Sequence, residues 1–228
     1  MARVAVTSCM YLGDVAPFIT VARRLSEAGH EVTFIAPAGF SSFLESEPVT
    51  HHCYALDASP RRFDVDPVHT KLMRHPFANA SRLAAYWMDR GFADDPDAAT
   101  SSLREGMDGV DVVVTHPTMA SVALPVARSM GASVVTGHLF PMMIPTGSWT
   151  MPIYSRSFRL SAPLNRATWH ALRTMTTVMF RDREINELRR NCGLEPLRGN
   201  AGWAWIESDE TVVLFNTGGA VKYLDVLG

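Results

Sequence analysis

A single carboxylate, Asp14, follows a short Val-rich segment, Arg3–Thr7, across the loop Ser8-Cys-Met-Tyr-Leu-Gly13. It stands where a strand would give way to a helix. In an open α/β sheet, ligands and chemistry collect at the carboxyl ends of the strands. A carboxylate there can take a proton from a hydroxyl as that hydroxyl attacks an electrophile, and the step requires no metal. The bland alternative is that Asp14 caps the helix by accepting backbone N–H groups. The two roles are compatible. The loop has neither the Gly-x-Gly-x-x-Gly spacing of a dinucleotide site nor the Gly-Lys-Ser/Thr ending of a P-loop.

Two histidines repeat the placement. His116 follows Gly109–Thr115, and His138 follows Ser133–Gly137; both segments are rich in Val. Either imidazole can hydrogen-bond a bound hydroxyl, or simply be structural. The paired His51-His52 reads as surface. No His-Glu-x-x-His or comparable ligand spacing points to a metal. Asn216-Thr-Gly-Gly219 admits a phosphate nest, but a hairpin or linker turn is the simpler reading.

These residues need a scaffold, and the hydrophobic periodicity supplies one. Phe18, Val21, Ala22, Leu25 and Ala28 recur at helical spacing, with Arg23, Arg24 and Glu27 on the opposite side. Gly29 suits the left-handed stop after that helix, and Glu31–Ala36 reads as the next strand. Strand, helix and strand within about 35 residues form a parallel βαβ unit. A short helix over Phe40–Glu45 and a weaker strand over His51–Leu56 follow. Val68–Arg74, Phe77–Gly91 and Asp97–Met107 read as helices. Gly109–Thr115 is a near-continuous β-branched run, the pattern of a strand buried on both faces. A helix over Met119–Met130, stopped by Gly131, leads to the strand beginning at Ser133. Leu164–Asn191 reads as one long helix and Thr211–Phe215 as a last strand, followed by a tail with no further element. The fold class this predicts is α/β: a Rossmann-like, doubly wound, mostly parallel sheet with helices on both faces.

The chain has 228 residues, enough for one large domain with a substantial core. Its net charge of -2 and its lack of a long basic run argue against a nucleic-acid partner. Arg181, Arg183, Arg189 and Arg190 alternate with Asp182, Glu184 and Glu187, as on a solvated helix face. Cys9, Cys53 and Cys192 are odd in number and far apart, which predicts reduced thiols in a cytoplasmic protein rather than a disulfide framework. No signal peptide is visible, and no apolar stretch approaches the ~20 residues of a membrane span. The methionines fill irregular gaps or line an adaptable apolar surface.

Several stretches carry a family likeness. Gly-Asp-Val-Ala-Pro-Phe at Gly13–Phe18, then Ala22-Arg-Arg-Leu and Ala28-Gly-His-Glu-Val-Thr-Phe34, resembles the opening of bacterial and sterol-type UDP-glycosyltransferases, enzymes of the two-domain GT-B fold. Asp111-Val-Val-Val-Thr-His-Pro117 is similar to that family's fourth strand and its loop. Phe140-Pro-Met-Met-Ile-Pro-Thr146 resembles its Pro-rich loop after the fifth strand. Ile185-Asn-Glu-Leu-Arg189 with Gly193-Leu-Glu-Pro196 resembles its long helix and exit. The likeness spans nearly all of the chain.

The resemblance implies a single N-terminal acceptor-binding domain over residues 1–228, with Asp14 as general base. The family's donor-binding domain, with its His-x-Gly-x-Gly-Thr-like diphosphate loop, has no counterpart in this sequence. The chain ends 13 residues past Phe215, near where the family's interdomain linker would begin. An isolated half is therefore expected, whether a piece of a longer chain or a naturally short product. It would bind no cofactor itself; a UDP- or dTDP-sugar would be the co-substrate of the complete enzyme. The resemblance places Leu12, Gly13, His116, Pro117, His138 and Thr146 around the acceptor. One departure is Cys9-Met-Tyr-Leu12, where relatives carry a glycine; its loss narrows the loop's backbone options. Phe77, Trp87, Phe92, Phe140, Met142, Met143 and Trp149 lie on segments that would overhang the cleft, and each is also compatible with ordinary core. Together they suit a small hydrophobic acceptor better than a sugar.

Two other readings belong to different classes. One is a non-catalytic small-molecule-binding or partner module that docks onto a donor-binding chain, in cis or in trans. The other is a nicotinamide or flavin oxidoreductase, against which the missing glycine fingerprint counts.

Overall fold

Strand β1 (Arg3–Thr7) leads into helix α1 (Leu12–Glu27), and α1 into β2 (Glu31–Pro37). The computed structural model describes residues 1–8, 12–54, 66–75, 79, 82, 96–139, 161–179, 182–197, 207–217 and 220–225. The spacing of α1 does what its sequence implies. Phe18, Ile19, Val21 and Ala22 are buried against the sheet while Arg23, Arg24 and Glu27 stay exposed. Gly29, at φ 89°, ends the helix in a conformation that other residues adopt only with strain.

A 3₁₀ turn (Ala38–Phe40) and a short α2 (Ser41–Leu44) precede β3 (Thr50–Tyr54). Helix α3 (Pro67–Met73) is capped by Asp66, whose carboxylate accepts from the Val68 N–H at 2.7 Å. Helix α4 (Pro96–Gly106), β4 (Val112–Thr115), α5 (Pro117–Ser129) and β5 (Ser133–His138) build the second half. Helices α6 (Ala162–Met179) and α7 (Asp182–Asn191) occupy the stretch that the periodicity reads as one helix; residues 180–181 lie outside the described set. The strand expected over Gly109–Thr115 begins only at Val112. Gly109 is in a left-handed conformation at φ 65°, so the extended run cannot start there, and the Asp111 carboxylate accepts from the Arg3 N–H at 2.7 Å.

The tail departs from expectation. β6 (Glu210–Thr217) is followed by β7 (Ala220–Asp225), which pairs antiparallel with it from Thr217↔Ala220 to Val212↔Asp225. Asn216 and Thr217 thus lie in one arm of an antiparallel pair, while residues 218–219 lie outside the described set.

The sheet order is β3-β2-β1-β4-β5-β6-β7. Strands β1 to β6 are parallel and β7 alone is antiparallel. The order runs outward in both directions from the β1–β4 pair, so the crossovers cover opposite faces: the doubly wound arrangement with a switch point between β1 and β4. On one face Val4, Val6, Phe34 and Val114 pack with Phe18, Ile19 and Ala22 of α1. On the other, Ala5, Ile35, Val113 and Val134 pack with Leu103, Met119, Leu124 and Leu188 from α4, α5 and α7. The alternation along β1 and β4 thus assigns each residue to its layer.

Candidate functional site

The switch point brings together residues that are about a hundred positions apart. Thr7 pairs with Thr115, so the carboxyl ends of β1 and β4 are level. The chain leaving β1 is pinned there. Ser8 N–H donates to Ile35 O at 3.4 Å, and Ser8 Oγ donates to Asp14 O at 2.9 Å. The chain leaving β4 is tied to the same point by the His116 N–H, which donates to Thr7 O at 3.0 Å. The first turn of α1 and the N-terminus of α5 therefore meet across the crevice.

Asp14 stands third in α1, within its first turn and not before it. It is thus not the cap residue itself, although the positive end of the helix still favours a carboxylate there. The side chain is 26% exposed, so solvent reaches part of it. Its Oδ1 lies 3.9 Å from His116 Nε2. His116 is the N-cap of α5. Its Nδ1 accepts from the Thr118 N–H at 3.3 Å and lies 2.6 Å from Thr118 Oγ1. The edge of the ring system packs against Phe18 at 77°, with centroids 5.5 Å apart.

The carboxylate and the imidazole do not form an ion pair at neutral pH. Burial pushes the His116 pKa down to about 4, because water is largely excluded from a ring whose side chain is only 12% exposed. A 3.9 Å separation is also too long for a hydrogen bond. The pair is better described as an anion facing a neutral ring.

His138 ends β5 as the sequence implies, but it does not open onto the crevice: it is 1% exposed. Burial, and secondarily the nearby His116, push its pKa down to about 3. Gly13 is exposed and Pro117 half-buried beside the crevice, while Leu12 begins α1. Phe77, Trp87, Phe92, Phe140, Met142, Met143, Thr146 and Trp149 lie outside the described residues, as does Cys9. Cys53 and Cys192 are free thiols.

Two features escaped the sequence reading. Thr118 contacts His116, and the signal for it was local: a polar residue two positions after a strand-ending His, at a Pro-started helix. The second is a row of threonines in register, Thr7↔Thr115↔Thr136↔Thr211, crossing β1, β4, β5 and β6. Thr7, Thr115 and Thr136 are fully buried. The Thr115 hydroxyl donates to His116 O at 3.2 Å, whereas those of Thr7 and Thr136 have no partner among the described residues. Also among the described residues, no group of three or more His, Cys, Asp or Glu is arranged to hold a metal ion, and no helix is long and apolar enough to cross a membrane.

No family model matches the chain. It is 27% identical over 199 residues to O-mycaminosyltylonolide 6-deoxyallosyltransferase of Streptomyces fradiae, covering 85% of this chain and 44% of that protein. It is 28% identical over 186 residues to an uncharacterized protein of Mycobacterium bovis, covering 81% and 41%. Among solved structures it is similar to CalG4, the calicheamicin glycosyltransferase, with TM-score 0.57 and 13% identity over 94% of this chain and 48% of that one. VinC, a glycosyltransferase in complex with dTDP, gives TM-score 0.57 and 12% identity over 93% and 48%. The glycosyltransferase of kitacinnamycin gives 0.55 and 17% over 93% and 46%. The chain spans less than half the length of these proteins, and its fold is that of one half of a GT-B glycosyltransferase.

Proposed function

We propose that this half of a GT-B fold is the acceptor-binding half of an inverting, nucleotide-sugar-dependent glycosyltransferase, and that its acceptor is a small hydrophobic alcohol or phenol. The observation that carries the reading is the pair at the switch point: a partly exposed carboxylate facing a neutral imidazole across 3.9 Å. A hydroxyl oxygen about 2.8 Å from each group fits across that gap. Asp14 accepts its proton as the oxygen attacks the anomeric carbon, and the bond to the departing nucleoside diphosphate breaks on the opposite side. His116 orients the same oxygen. Pro117 and Gly13 flank it, and Leu12 enters the same turn.

The sequence contains no His-x-Gly-x-Gly-Thr-like loop, which supports the acceptor role over the donor role for this half. The Streptomyces fradiae relative is an O-mycaminosyltylonolide 6-deoxyallosyltransferase, which supports a natural-product acceptor. The dTDP bound in VinC supports a UDP- or dTDP-sugar as co-substrate, held by a donor-binding domain in cis or in trans. Alone, this chain does not transfer sugar, because it lacks the groups that hold and polarise the leaving diphosphate. Calorimetric titration of the chain with a hydrophobic natural-product alcohol and, separately, with a UDP- or dTDP-sugar tests the assignment. Saturable binding of the alcohol is expected. Binding of the nucleotide sugar alone would reverse the two halves.

A further inference from the structure

We propose that Thr118 is a positioning residue, whose hydroxyl and backbone N–H hold His116 in the tautomer that carries its proton on Nε2, the nitrogen turned toward Asp14. The functional consequence rests on the acceptor-site reading above; the tautomer itself does not.

The geometry decides which nitrogen is protonated. The Thr118 N–H donates to His116 Nδ1 at 3.3 Å. A backbone amide cannot accept, so Nδ1 must present a lone pair. The Thr118 hydroxyl, 2.6 Å from the same nitrogen, then donates to it as well. In a neutral ring the one remaining proton belongs to Nε2. Burial keeps the ring neutral, and among the described residues its titratable neighbours are Asp14 on α1 and His138 on β5. Phe18 and the bond from the His116 N–H to Thr7 O fix where the ring sits.

The choice of tautomer sets the polarity of the crevice. With the proton on Nε2, the pair presents one acceptor, Asp14, and one donor, His116. A bound hydroxyl oxygen then accepts from His116 and gives its proton to Asp14. With the proton on Nδ1, Nε2 would offer a lone pair toward the carboxylate and compete with it for the hydroxyl proton. Thr118 therefore selects Asp14 as the base without touching the acceptor.

The test uses this chain, labelled with ¹⁵N at histidine, in long-range ¹H–¹⁵N spectra near neutral pH. The wild type should show His116 as the Nε2–H tautomer. In Thr118→Val the ratio of the two tautomers should fall about three- to tenfold, the worth of one lost hydrogen bond. The titration midpoint of His116 should also rise, because the neutral ring loses a partner. Thr118→Ser should restore both readouts. Thr118 is exposed, so the substitutions leave the core untouched. A wild-type His116 protonated on Nδ1, or a valine variant with unchanged tautomer and midpoint, would overturn the proposal. These signals need no sugar transfer, so they separate failure of this proposal from failure of the proposed function.

Discussion

At the residue scale, the site depends on two groups held in unlike states, a carboxylate in the first turn of α1 and a neutral imidazole at the start of α5. Removing the proposed base, Asp14, without changing its shape is the direct probe. In a chain carrying both halves, Asp14→Asn should lower kcat roughly 10²–10⁴-fold and leave KM nearly unchanged, the pattern of a lost general base. The histidines make a separate prediction about stability. His116 and His138 have folded-state pKa values of about 4 and about 3, below the ordinary 6.5. Between those values and 6.5 the unfolded chain binds more protons than the folded one. Stability is therefore full above pH 6.5 and falls as the pH drops toward about 4 for His116 and about 3 for His138. Each ring contributes a slope approaching about 1.4 kcal/mol per pH unit. Urea unfolding between about pH 6 and pH 5, where most carboxylates remain ionised, should show this loss. His116→Asn, which keeps a side-chain cap, should remove the contribution of one ring; an unchanged slope would contradict the burial argument.

At the element scale, two members of the threonine row, Thr7 and Thr136, cost stability. An unpaired buried hydroxyl loses its water and gains nothing, a penalty of about 1–3 kcal/mol. Thr7→Val and Thr136→Val keep the shape and suit a strand, so each should raise the free energy of unfolding by about 1 kcal/mol. A loss of similar size would mean that an internal water satisfies these groups. Gly106 marks a close approach of α4 to the sheet. A Cβ there would stand 2.7 Å from the His52 ring and 3.1 Å from Ile35 Cδ1. Gly106→Ala should therefore lower stability by about 1–3 kcal/mol, measured in the same urea assay.

The elements also show what the sequence could and could not reveal. α1 was legible because its apolar residues recur at helical spacing and burial follows them, and β1, β2 and α5 because their apolar runs are bounded by clear stop signals. β7 was not: Ala220–Asp225 has no apolar run of its own and is a strand because β6 lies beside it. The ties at the start of β6 were equally invisible. Arg128 pairs with Asp209 at 2.9 Å, Asp209 accepts from the Val134 N–H at 2.6 Å, and buried Arg189 reaches Glu207 at 3.0 Å. Each joins residues that only the fold brings together. Asp14 and His116 were found separately, from their positions after strands. Their meeting at the switch point followed from the strand order, and the role of Thr118 from distances alone.

At the scale of the whole molecule, the chain spans less than half of the relatives it matches, and its fold is one half of theirs. Its switch point lies at the carboxyl ends of β1 and β4, with Asp14 partly exposed beside it. Under the proposed function, this half would bind the hydroxyl compound and supply the base, and sugar transfer would require the other half. Supplied with a nucleotide sugar and an acceptor, the purified chain should release no nucleoside diphosphate above the uncatalysed background. The most direct measurement is an NMR titration of the labelled chain with a hydrophobic natural-product alcohol, followed at Asp14, His116 and Thr118. Saturable shifts centred on these three residues are the predicted result. Shifts that bypass them, or that appear only with a nucleoside diphosphate sugar, would contradict it.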